Sequence, residues 1–124
     1  MEKKKDRIPN LERVGKHFEF MDFYYFHCRG EMKKVFDILA CDQNIFSLHP
    51  VAGSMRLVKV QVDNISRTVK EAVEEFETHV TKEIWLIKYG KKDTHPGLAY
   101  LYRCKGSKWT KEPKKLPLKD ALEK

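Results

Sequence analysis

No long apolar run exists in this chain: nothing in its 124 residues approaches the roughly 18 apolar positions that a membrane-spanning helix needs. The charged N-terminus, MEKKKDRIPNLER, is not followed by an apolar segment, so no secretory signal and no membrane partner are expected. Glycine is scarce, at 6 residues, and none falls in a GxGxxG or GxxxxGKS/T loop of the kind that cradles phosphates. A GxSxG nucleophile elbow is also missing. The cysteines, Cys28, Cys41 and Cys104, form no CxxC, and the histidines form no HxxxH or HExxH, so no metal site is expected and no cofactor either. An odd thiol count without a signal reads as free thiols in a reducing, intracellular compartment, with cytoplasm and nucleus indistinguishable.

What the chain does have is charge, placed unevenly. Residues 1–16 carry six Lys/Arg against three Asp/Glu, and residues 105–124 carry seven against three. Residues 17–104 carry twelve of each, so the whole excess of +7 sits in the flanks. The expected organisation is a basic N-terminal flank over 1–16, a single domain over 17–104 and a basic, proline-containing tail over 105–124. A hydrophobic content of 41% supports one packed core. Cationic ends on a neutral body attract polyanions, although they also serve plain solubility.

The apolar periodicity predicts alternating elements. Leu11, Val14, Phe18 and Met21 suit a short helix over 10–18 behind Pro9, weakened by Gly15. The aromatic run 18–28, FEFMDFYYFHC, predicts a strand covered on both faces. Met32, Val35, Phe36 and Leu39 predict a helix over 31–41, with a short strand at 45–48. Residues 55–63 alternate as a half-buried strand, with Val58, Val60 and Val62 on one side and Leu57, Lys59 and Gln61 on the other. Val69, Val73, Phe76 and Val80 mark a helix over 65–80, with Asn64, Ser66 or a Thr68–Glu71 capping box at its start. Strands follow at 83–89 and 98–104, separated by a long turn, and the tail reads as extended with one last helical turn. The fold expected is α+β: a mostly antiparallel sheet of four to five strands with two helices on one face, in a ferredoxin-like arrangement with an added strand.

Three functional readings compete. The first is a small binding module that associates with nucleic acid, RNA or DNA, through its basic ends, with or without an aromatic sheet face. RNA-binding sheets stack bases on exposed aromatics and hold phosphates with Lys and Arg. The residues that suit those roles are Lys59, Lys88, Tyr100, Tyr102 and Arg103, joined by Lys105, Lys108, Lys111, Lys114 and Lys115 from the tail. Tyr24 and Phe26 belong to the same pattern. The RNP1 sequence and the compact GXXG clamp are absent, and aromatics also fill cores.

The second reading is a protein–protein adaptor or regulatory subunit that meets its partner through the aromatic strand or through the edge strand 98–104. The third is a thiol enzyme built on Cys28. Arg29 and the start of the helix expected at 31–41 would lower the thiol pKa, with His27 or His49 as base. The phosphatase loop, however, needs arginine six positions after its cysteine, where this chain has Lys34. A binding module is favoured over an enzyme. The glutamates at 71, 74, 75 and 77 read as a solvated helix face that would keep nucleic acid to the sheet and tails.

Overall fold

The computed structural model describes residues 2–43, 54–88, 98–105 and 108–117, with side chains from residue 11 onward except at 98, 116 and 117. Leu11, Val14 and Phe18 recur at helical spacing and pack on one sheet face from helix α1 (Glu2–Phe20). The helix is longer than the expected 10–18. It runs back through Pro9, whose missing N–H forgoes one bond, into a Lys/Glu-rich segment of good helix formers. It also takes residues 18–20 from the expected aromatic strand, because Phe18 completes its buried stripe. Asp22, at φ 66°, then turns the chain out of the helix.

Among the described residues the sheet has seven strands, more than the four or five expected. They are β1 (Phe23–His27), β2 (Ile38–Asp42), β3 (Met55–Val62), β4 (Thr81–Lys88), β5 (Leu98–Lys105), β6 (Lys108–Trp109) and β7 (Lys114–Pro117). The first five lie side by side in chain order, and β6 and β7 share the outer side of β5. Pairing is antiparallel except between β3 and β4, which run parallel and are joined through helix α2 (Arg67–Glu75). Those two strands are direct neighbours, with none inserted between them, so the crossover is not the split βαβ of a ferredoxin-like plait.

The helix expected over 31–41 does not form. A single 3-10 turn, Gly30–Lys34, precedes Phe36, and the chain then enters β2. A short apolar run fits either period, and here pairing with β1 and β3 decides it. Helix α2 is shorter than 65–80. Ser66 caps it, its Oγ accepting from the Val69 N–H at 3.1 Å, so Thr68 lies inside the first turn rather than at the cap. At the other end the buried ammonium of Lys82 donates to the carbonyls of Val73, Glu74 and Phe76 at 2.7, 3.1 and 2.8 Å. Three carbonyls at the end of the helix, of which Val73's also accepts the Phe76 N–H, converge on that one cation and fix where the helix stops.

The two helices lie on opposite faces of the sheet, not on one. Alternation along the strands sends Ile38, Val58, Val60, Trp85, Ile87 and Leu101 toward α1. It sends Leu57, Ile84 and Tyr102 toward Val69 and Val73 of α2. Covering both faces explains why β4, with apolar residues on both parities, is buried along nearly its whole length. No described helix is long and apolar enough to cross a membrane. The expected strand at 45–48 and the last helical turn of the tail lie outside the described residues.

Candidate nucleic-acid interface

The α2 face of the sheet is not fully covered. Beyond α2, toward the C-terminal end of β4, a cleft of about 460 Å³ opens over Ile84 and Leu86. Its walls include Lys70, Lys88, Tyr102, Trp109 and Lys111, with Asn64 at the rim. Beside it, Tyr100 stands between two cations. Lys88 Nζ lies 5.3 Å from the ring centroid and Lys115 Nζ 5.8 Å, both within cation–π range. Sheet register produces this grouping: Lys88 belongs to β4, Tyr100 to β5, and Lys115 pairs with Tyr100 across the β5–β7 ladder.

The tail reaches the site because it is bound to the body. Strands β6 and β7 pair with the two halves of β5, and Trp109 packs into the α2-side core. The indole N–H of Trp109 donates to Glu74 Oε2 of α2. That bond ties the segment carrying Lys111 to α2.

Of the ten residues singled out from the sequence, Lys88, Tyr100, Tyr102, Lys111 and Lys115 are brought together here. Lys59 is on the same face but is largely buried and paired, its Nζ 3.5 Å from Asp37 Oδ1. Asp37 also accepts the Val60 N–H at 2.8 Å. Arg103 points to the α1 face, where its guanidinium binds Glu83. Lys114 pairs with Leu101, and Lys105 with Lys108, which places those three on the α1 side by alternation. Lys70 was not foreseen. Its position in an acidic helix gave no signal, and only the docking of α2 beside β4 turns it toward the cleft.

The thiol environment is the reverse of what the Cys28 reading needs. Burial, and secondarily the charge of Asp37, push the Cys28 thiol above its ordinary value. The segment after it is a 3-10 turn and offers no α-helix N-terminus. Burial raises Cys41 and Cys104 as well. No group of three or more His, Cys, Asp or Glu side chains among the described residues is arranged to hold a metal ion. Comparison with protein-family models, with curated proteins and with solved structures found no match.

Proposed function

We propose that this domain binds nucleic acid in single-stranded form, over the cleft and the tyrosine beside it. The observation that carries the reading is Tyr100 held between Lys88 and Lys115, beside a cleft that Lys88 shares with Lys70, Lys111 and Tyr102. A base has a π-face that stacks on an aromatic ring whatever its identity, and the flanking ammoniums suit the phosphates on either side. The cleft volume is in the range that accepts one small organic group. RNA is the preferred partner because its functional single strands offer unstacked bases.

The adaptor reading through strand 98–104 loses its edge, since β6 and β7 occupy the outer side of β5. The test is anisotropy of labelled single-stranded RNA, single-stranded DNA and duplex across a range of salt. Tighter binding of single strands, with a salt slope near −3 from about four phosphate contacts, supports the proposal. Absence of binding to every oligonucleotide at low salt overturns it.

A further inference from the structure

β1 is the opposite edge of the sheet, and its outer side is free of any strand among the described residues. The direction of its main-chain groups follows from the neighbouring bonds. Asp42 donates its N–H to Ser54 on the β3 side, and Gln43 donates to Asp22 on the β1 side. Alternation from those points turns the peptide groups of Tyr24 and Phe26 toward β2 and those of Phe23, Tyr25 and His27 outward. Three consecutive outward positions form a template for another strand. Sheets usually protect such an edge with lysine, proline or a bulge, and FYYFH has none of these. On the α2 face the same strand exposes Tyr24 and Phe26, at 54% and 55% of their surface. Met32, in the turn that follows the strand, is also exposed.

We infer that two copies of this chain pair through β1, antiparallel, about a two-fold axis perpendicular to the sheet at Tyr25. In that register Phe23 of one copy exchanges hydrogen bonds with His27 of the other, and Tyr25 with its own equivalent. Tyr24 then stands opposite Phe26 of the second copy, twice, which makes a ladder of four aromatic rings from the surfaces each copy exposes. The charges at the ends of the strand select this partner. The exposed acids Glu19 and Asp22 precede β1, and the exposed base Arg29 follows it. Antiparallel pairing brings the acidic end of each copy to the basic end of the other, whereas parallel pairing would set like charges together. The two sheets become one, with both cleft-bearing faces on the same side, and the nucleic-acid proposal is not needed for the pairing.

The test is the mass of the purified full chain in solution, by light scattering or sedimentation at tens of micromolar. A dimer of about 29 kDa, twice the 14.7 kDa chain, is expected. Phe26→Lys, at an exposed position, lowers the mass to that of the monomer without changing the circular dichroism spectrum. Asp22→Arg and Arg29→Asp each weaken the dimer about tenfold, and the double variant restores it. A monomeric wild-type chain overturns the inference. So does a dimer indifferent to Phe26→Lys, or a double variant no better than the singles. Binding of an unrelated β-strand peptide to β1 without self-association would assign the edge to a different partner and also overturns it.

Discussion

Arg103 meets a single oxygen of Glu83, Oε2, through both Nε at 3.0 Å and Nη2 at 2.8 Å, and the carboxylate has no exposure to solvent. The other oxygen accepts the Trp85 indole N–H at 2.9 Å and faces Arg56 Nη1 at 3.5 Å. Arg56 in turn lies over the rings of Phe23 and Phe18, 4.9 and 5.8 Å from their centroids. One buried carboxylate thus ties β3, β4 and β5 together beneath the end of α1.

Removing that carboxylate leaves two guanidiniums and an indole N–H around an empty site. Glu83→Ala is expected to destabilise the fold by about 3–5 kcal/mol. Urea denaturation measures it, and a loss under about 1 kcal/mol would show that the pair is solvated rather than buried.

The α2 carbonyls depend on Lys82 in the same way. Lys82→Met keeps the stem but removes the three donors, and a loss of roughly 1–3 kcal/mol follows from unsatisfied carbonyls. Hydrogen exchange should localise it to α2, with Val73 and Phe76 protected less than residues of β4.

Gly15 is set by packing rather than by backbone conformation. A Cβ at that position would overlap the Tyr25 ring, so Gly15→Ala must displace either the ring or the helix. A cost of about 1–3 kcal/mol is expected, from overpacking that exceeds the gain in helix propensity. A stabilised variant would mean that α1 does not approach β1 so closely.

The nucleic-acid reading separates into two signatures. Tyr100→Ala should lose about 1–3 kcal/mol of binding to single strands with the salt slope unchanged. Lys88→Ala with Lys115→Ala should flatten the slope by about 1.4 instead. Cutting the chain after Gly106 is a different experiment from what the tail's composition suggests. It removes β6, β7 and Trp109 from the sheet and core, so stability should fall together with binding.

The thiols give a pH dependence. Because burial and Asp37 raise Cys28, the folded chain holds its proton more tightly than the unfolded chain. This contribution is complete below the ordinary thiol value of 9.0 and fades as pH rises through the higher folded value. Stability should decline above about pH 9 and decline less in Cys28→Ala, while native alkylation of Cys28 at neutral pH should be slow. Rapid alkylation there would instead restore the thiol-enzyme reading.

Sequence by itself determined the alternating and continuously apolar strands β3, β4 and β5 and the apolar positions Val69 and Val73 of α2, because local period acts within a few residues; it offered Asn64, Ser66 and a Thr68–Glu71 box as caps, and the fold chose Ser66. The sequence also named Lys88, Tyr100, Tyr102, Lys111 and Lys115 among its candidates, but not that they would stand near one another. Tertiary structure alone decided the rest. Residues 31–41 read as a helix from their spacing, and pairing with β1 and β3 made Ile38–Asp42 a strand instead. The face that each helix covers depended on the hand and position of the β3–α2–β4 crossover. The basic residues were sorted by sheet parity and pairing: Arg103 went to a buried carboxylate and Lys59 to Asp37, while Lys88 and Lys115 were set against one tyrosine. Charge and residue type can be read along a chain, but which charges meet is fixed by register between strands distant in sequence.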